Sequence, residues 1–296
     1  MASPGRVSDP HMRSRKPLDD EVDFYGLTHP GLVRKENQDH FLIGSLRKHL
    51  DVHQTSLPAL DRNPAMGERL GYLAMVADGV GSSERGGEAS SLAIEAATDY
   101  VAHSMGCYYA ADASNETAFH QALQEAAMRC HETVLQRAEA DPDSGSMATT
   151  LTLYIGIWPW SYLLQVGDSR CYVFHKGHLA QITRDQTLAE ALVDQGVLTR
   201  SDVADSQWSH VLSSSIGGST TAPVVTRIRL AWKSVGLLCS DGLTKHVSDE
   251  QIAGRLRDMT SAKQACEALL QDALDGGGSD NITIIVGRFL RKEALA

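Results

Sequence analysis

No stretch of this chain approaches the ~20 consecutive apolar residues that an α-helix needs to cross a bilayer, and the amino terminus has no apolar signal core. The expectation is a cytoplasmic chain with no membrane span. Basic charge is also short: 27 Lys and Arg stand against 37 Asp and Glu, a formal charge of −10. A nucleic-acid binder needs a clustered basic face to displace counterions from phosphates, so no nucleic-acid partner is expected. Cysteine is scarce and scattered. Cys107, Cys130, Cys171, Cys239 and Cys266 are odd in number and never form a C-x-x-C pair, which signals neither a disulfide framework nor a zinc site. Reduced thiols in the cytosol fit that usage. No internal repeat is present.

What is present is ample apolar content, 42% of 296 residues, enough to bury a full core. Residues 1–20 are rich in Pro, Ser and charge without apolar period and read as a disordered leader, its part before Met12 open to reading as a vector remnant. Residues 21–292 read as one domain. Strands are expected at 41–44, 71–77, 149–158, 161–166, 171–176, 224–230, 235–239 and 281–289. The links between the fourth, fifth and preceding strands are too short for a crossover, so these neighbours must be antiparallel. Two amphipathic helices are expected, one through Ala89, Leu92, Ala93, Ala96 and Val101, the other through Phe119, Leu123, Ala126 and Val134. Ser248 with Gln251 makes a capping box, Val247 and Ile252 a staple, and Ser261 with Gln264 another helix start. Helices grouped between antiparallel runs indicate an α+β fold of two packed sheets with helices outside. Residues 45–70 read as an exposed insertion, a long hairpin loop, and residues 186–222 as a flap containing a short helix at 187–195.

Several aspartates sit at element boundaries: Asp39, Asp78 in Ala77-Asp78-Gly79, Asp168 in Gly167-Asp168-Ser169-Arg170, Asp241 in Ser240-Asp241-Gly242, and Asp280 in Ser279-Asp280-Asn281. Any one alone reads as a turn or cap. Carboxylates from several strand ends can instead converge at one sheet edge, and convergent hard oxygens bind Mg²⁺ or Mn²⁺. Gly79, Gly81, Gly86 and Gly87 around Asp78 would let the chain turn away without a Cβ in such a site.

Taken in order, the stretches GLVRKENQD (31–39), VADGVG (76–81), GDSR (167–170), TRDQTLAEALVDQGVLT (183–199), LLCSDGLT (237–244) and SDNITIIV (279–286) resemble the PPM, or PP2C, family of metal-dependent Ser/Thr protein phosphatases over about residues 24 to 290. The resemblance implies a four-layer α-β-β-α sandwich of two antiparallel sheets flanked by helices, with a metal centre at one end. It implies two divalent ions, Mn²⁺ or Mg²⁺. Asp78 would bridge them, Asp241 and Asp280 would complete one shell, Gly79 would offer its carbonyl to the other, and Asp39 would lie at the second-ion end. Arg34 would hold the substrate phosphate with its forked guanidinium. Asp168 with Asp241 matches the position of a third, weaker ion in bacterial relatives.

The implied activity is hydrolysis of phosphoserine and phosphothreonine by direct attack of a metal-bridging hydroxide, with phosphoproteins, the targets of a Ser/Thr kinase, as partners. No Cys-x₅-Arg loop offers a thiol-phosphate route. The chain departs from the pattern at Val80, where eukaryotic-type relatives place a proton-donating His; at Gln38 for Glu; at Gln186 for His; and at Ser82 for Gly. Many bacterial relatives also lack the His at the Val80 position, which implies that a metal-bound water protonates the leaving group; His29 and His210 are the other candidates, although a lone polar His in a loop usually reads as a solvated side chain. Two other readings stand beside this one: a phosphatase-like binding module without activity, and a hydrolase of small phosphorylated metabolites. The stretch Asp141 to Ser146 lacks the spaced acids of a calcium loop and reads as a polar turn.

Overall fold

The computed structural model describes residues 15–47, 50–57, 69–80, 85–104, 116–141, 145–203 and 206–290. The strands are β1 (Val22–His29), β2 (Asp39–Leu46), β3 (Leu50–Thr55), β4 (Gly71–Val80), β5 (Ala148–Thr149), β6 (Leu151–Ile157), β7 (Trp160–Val166), β8 (Arg170–His175), β9 (His178–Gln181), β10 (Val224–Arg229), β11 (Val235–Cys239) and β12 (Ile282–Phe289). The helices are α1 (Arg85–Asp99), α2 (Glu116–Glu139), α3 (Leu188–Asp194), α4 (Asp241–Thr244), α5 (Asp249–Asp258) and α6 (Ala262–Asp275). One sheet has the order β1-β12-β11-β8-β9, the other β10-β7-β6-β4-β2-β3 with β5 paired to β4. All their pairings are antiparallel. The expected α+β sandwich is what the chain forms.

Three apolar layers hold the four structural layers together. Helices α1 and α2 cover the larger sheet through Ala93, Ile94, Phe119 and Leu123 against Leu73, Met75 and Leu153. Helices α5 and α6 cover the smaller sheet through Ile252, Leu256 and Leu269 against Leu237, Ile284 and Val286. Between the sheets lie Phe41, Ile43, Ala74, Val76, Leu238 and Ile285. Successive strand residues face opposite sides, so on β4 Leu73, Met75 and Ala77 turn to the helices while Ala74 and Val76 turn to the other sheet. The same parity carried on by two residues aims Asp78 into the cleft between the sheets. On β2 it aims Asp39, two residues before Phe41, into the same cleft.

The local signals operate as expected. Ser248 Oγ accepts from the Gln251 backbone N–H at 3.3 Å and Gln251 Oε1 accepts from the Ser248 N–H at 2.9 Å, with Val247 and Ile252 both buried beside them. Ser261 Oγ accepts from the Gln264 N–H at 3.1 Å. The first long helix continues past Asp99 as a π-helical turn, Tyr100–Ser104.

Other features differ from expectation. Strand β4 does not stop before Asp78 but runs on to Val80, because β5 pairs Gly79 with Thr149 and Val80 with Ala148. Strand β1 escaped the sequence reading: Gly26 interrupts its alternation, and its side chains are mostly half-buried at a sheet edge. Strand β9 is a four-residue hairpin partner of β8, turned by Lys176 and Gly177, both at positive φ as a tight hairpin requires. The presumed insertion 45–70 is in part edge strand β3, and Leu57 is buried; residues 58–68 lie outside the described residues. Residues 15–20 are not loose leader: Arg15 pairs with Glu21 at 2.6 Å, and Arg69 pairs with Asp19. Residues 1–14, Cys107, the Gly81 to Ser83 turn and residues 142–144 lie outside the described residues.

Phe119 of α2 stacks on Tyr162 of β7 with ring centroids 4.4 Å apart, both fully buried. Phe119→Ala removes that ring from the seam between helix and sheet and should cost about 3–5 kcal/mol of unfolding free energy by denaturant titration. A loss below about 1 kcal/mol would show that α2 is not held to the sheet through this layer.

Candidate metal centre

At the open end of the cleft is a cavity of about 170 Å³, lined by Asp78, Gly79, Asp168, Asp241 and Asp280 together with Lys245 and His210. Each acid arrives on a different element. Asp78 comes on β4, held by its N–H donating to Thr150 Oγ1 at 3.0 Å while its carbonyl accepts from the Thr150 N–H at 2.9 Å and from Thr149 Oγ1 at 2.8 Å. Asp168 sits in the turn from β7 to β8, joined to the Asp78 side by a hydrogen bond of 2.8 Å between Thr150 Oγ1 and Ser169 Oγ. Asp241 opens α4 directly after β11, and Asp280 stands two residues before β12.

Asp39 lies one step deeper. It is the register partner of Asp78 across β2 and β4, and the two carboxyls are within hydrogen-bonding reach of each other. Asp39 Oδ2 accepts from Ser240 Oγ at 2.7 Å, but buried Oδ1 has no donor among the described residues. A donorless oxygen buried beside another acid costs free energy unless a proton or a cation satisfies it. The oxygen-only donor set and that unsatisfied atom fit a hard divalent cation.

Burial raises the carboxyl of Asp39 to about 6, against hydrogen bonds from Ser240 and Thr283 that oppose the rise. Burial, then Asp241 and Asp185, push Asp168 up to about 8. Asp78 is driven well above the usual carboxylate range by burial and then by Asp39, Asp241, Asp168 and Asp280. Asp280 is the exception. Its burial also opposes ionisation, but hydrogen bonds from Arg34 and Lys245 outweigh that and hold it below the ordinary value.

The backbone around these acids is drawn tight. A Cβ on Gly79 would lie 2.3 Å from the Gly86 carbonyl oxygen, so the strand and the start of α1 meet only as glycines. Asn281 clamps the Arg34 loop: its Nδ2 donates to the carbonyls of Pro30 at 3.0 Å and Glu36 at 2.8 Å, and its Oδ1 accepts from the Gln38 N–H at 2.9 Å. Gln186 ties the flap to the Asp168 turn, accepting from the Gly167 N–H at 2.8 Å. Arg170 of the GDSR stretch makes a bidentate pair with Asp185 rather than facing the cavity. A second cavity of about 190 Å³, between the sheets and lined by Phe24, Tyr154 and Phe289, contains none of the site acids.

Sequence reasoning missed Lys245. Its Nζ lies 2.6 Å from Asp241 Oδ2 and 2.7 Å from Asp280 Oδ2. Four residues after Asp241 on a helical turn, it is on the same face, a spacing that was there to be read. Arg34 also differs from expectation: its guanidinium grips Asp280, Nε to Oδ1 at 2.8 Å and Nη2 to Oδ2 at 3.0 Å, instead of pointing free at a phosphate position. Among the described residues no three acid, imidazole or thiol groups surround one point as a ready cation cage. His210, on the flap, lines the cavity, whereas His29 accepts from the Gly31 N–H and does not line it.

A family model described as "Protein phosphatase 2C" matches residues 54–276. The chain belongs to the protein phosphatase 2C family. This PP2C-family chain is 33% identical over 215 residues to the Ser/Thr protein phosphatase PstP of Mycobacterium tuberculosis, covering 72% of the chain and 40% of PstP. It thus spans well under half the length of that relative. It is 27% identical over 215 residues to the Ser/Thr phosphatase stp of Listeria welshimeri, covering 72% of the chain and 83% of stp. The crystal structure of M. tuberculosis PstP/Ppp superposes with a TM-score of 0.70 at 26% identity, over 91% of this chain and 99% of that one. The PstP catalytic domain in complex with 2 manganese ions superposes at 0.67 with 27% identity, over 91% and 99%.

The raised acids set a pH signature for the metal-free PP2C-family chain. An acid whose folded pKa lies above its unfolded value carries more protons folded than unfolded in between, so stability falls as pH rises through that interval. For Asp39 and Asp168 the interval runs from the ordinary carboxylate value to about 6 and about 8. Asp280, with its lowered value, acts only at more acid pH. In chelator, the melting temperature should therefore fall between about pH 5 and pH 8, and added Mn²⁺ should restore most at the upper end. A flat or rising melting temperature across that window in chelator would contradict the crowding of charge described here.

Proposed function

We propose that the chain is a metal-dependent Ser/Thr phosphoprotein phosphatase that hydrolyses phosphomonoesters by direct attack of water on phosphorus. The observation that carries the reading is the gathering of Asp78, Asp168, Asp241 and Asp280 around one cavity, with buried Asp39 paired across the strands to Asp78 behind it. Asp39, Asp78, Gly79, Asp241 and Asp280 would hold two divalent ions, Mn²⁺ or Mg²⁺, and Asp168 with Asp241 a third. Such ions, when bound, supply Lewis acidity toward phosphoryl oxygens and lower the pKa of an attacking water.

The remaining work falls to the chain's own side chains. Arg34 stands exposed at the mouth, and its fork matches two oxygens of a phosphoryl group once it turns from Asp280. A side-chain nucleophile of the thiol kind is disfavoured, since burial lifts the thiols of Cys130, Cys171 and Cys266 to about 12 and pushes that of Cys239 up as well. Among the described residues lining the cavity, His210 is the only imidazole, and it takes the role of proton donor to the departing Ser or Thr oxygen where Val80 offers none. Phosphorylated targets of a Ser/Thr kinase are the substrates this reading implies. A reducing cytoplasm suits the buried free thiols.

The test is release of phosphate from p-nitrophenyl phosphate and from a phosphothreonine peptide with Mn²⁺, with Mg²⁺ and with chelator. Both substrates should turn over only with metal, and Asp241→Asn should cost about 100-fold or more in kcat. Silence from the folded protein with every metal would sink the reading in favour of a binding module, and turnover of small phosphorylated metabolites without the peptide would redirect it. His210→Gln should lower kcat on the peptide by about 100-fold and leave p-nitrophenyl phosphate nearly untouched, because nitrophenolate departs without a proton. Equal effects on the two substrates would remove His210 from that role.

A further inference from the structure

Lys245 stands in the part of the centre where a cation is wanted, and it is itself a cation. It follows α4 directly, and its N–H donates to the Asp241 carbonyl at 2.8 Å, which fixes the start of its side chain over the Asp241 carboxylate. Its Nζ then bridges one oxygen of Asp241 and one of Asp280, at 2.6 and 2.7 Å. Both acids are only 19% exposed and the lysine 22%, so water screens the triad weakly. Arg34 holds both oxygens of Asp280, Nε on Oδ1 at 2.8 Å and Nη2 on Oδ2 at 3.0 Å, so it shares Oδ2 with the lysine. An ammonium is a compact point charge with three donors on a flexible stem, able to fill such a gap and also to leave it. A divalent ion held by Asp241 and Asp280 would need their carboxylate oxygens, two of which the ammonium now contacts, so the two cations would compete for this position.

We infer that Lys245 is a tethered counter-cation that holds the Asp241–Asp280 position in the metal-free chain and must swing out before a divalent ion can bind there. The inference rests on the metal centre proposed above. It assigns the chain a built-in competitor at one ion position. Each binding event at that position breaks two charge-assisted hydrogen bonds, so the ion held there is weakened while the metal-free fold is relieved of repulsion between Asp241 and Asp280.

The experiment is titration of Mn²⁺ into the chelator-stripped full chain, followed by calorimetry and by the electron paramagnetic resonance of free Mn²⁺, for wild type, Lys245→Met, Lys245→Gln, Lys245→Arg and Asp241→Asn. Removing the charge should tighten the affected Mn²⁺ site at least tenfold in Lys245→Met and Lys245→Gln, and lower the melting temperature of both without metal. Lys245→Arg should stay near wild type. Unchanged or weaker Mn²⁺ binding in the folded neutral variants, with binding still lost in Asp241→Asn, would overturn the role of Lys245 and leave the metal centre standing. Absence of Mn²⁺ binding in every variant, wild type included, would overturn the metal centre and this inference with it. Two neutral variants guard against one failing to fold, and circular dichroism shows which of them does.

Discussion

Four carboxylates line the open end of one cleft and a fifth, Asp39, lies just behind them, and their mutual repulsion is the constraint around which the rest of the molecule is arranged. Two unit charges 4 Å apart interact by about 4 kcal/mol at the effective dielectric of a protein surface, and burial increases that figure. A protein cannot hold Asp39, Asp78, Asp168, Asp241 and Asp280 together unless protons or cations offset them. Among the chain's own groups the offset is divided. Protons favour Asp39, Asp78 and Asp168, while Lys245 and Arg34 serve the rim acids Asp241 and Asp280.

The sandwich can impose this crowding because each acid is anchored from behind by structure that does not depend on charge. Apolar layers fix the sheets, pleat parity aims Asp39 and Asp78 inward, and antiparallel pairing sets them opposite each other. Neutral donors then fix the backbone: Thr150 under Asp78, Ser240 against Asp39, Asn281 across the Arg34 loop. Ser240 is doubly used, since its hydroxyl donates to Asp39 and accepts from the Thr283 N–H at 2.9 Å, which ties the two sheets together at the site. Neutral donors thus hold the acids' backbone from behind, while the two cations, Arg34 and Lys245, reach them on long side chains.

Much of this was legible in the linear chain. The amphipathic helices, the caps at Ser248 and Ser261 and the antiparallel meander follow from local periodicity and turn chemistry, which do not need tertiary context to act. The site acids were visible as Asp at element boundaries, and their ordered motifs carried the family. Strand β1 was not legible, because an edge strand with Gly26 inside loses the alternation that marks a half-buried strand. Strand β3 was hidden because its apolar content is low and only pairing with β2 makes it a strand. The strand-end placement of Asp78 failed for a related reason: β5, two residues long, extends β4 only through a partner remote in sequence.

By itself, then, the sequence determined the class of fold, the identity of the acids and the chemistry they suit, because each rests on residue type, period and order along the chain. Tertiary structure decided what those acids meet. It put Asp39 opposite Asp78, turned Arg34 onto Asp280, brought His210 to the cavity wall and placed the Lys245 ammonium between Asp241 and Asp280. Those relations join residues up to hundreds of positions apart, and electrostatic energy depends on distance in space, which no local pattern encodes.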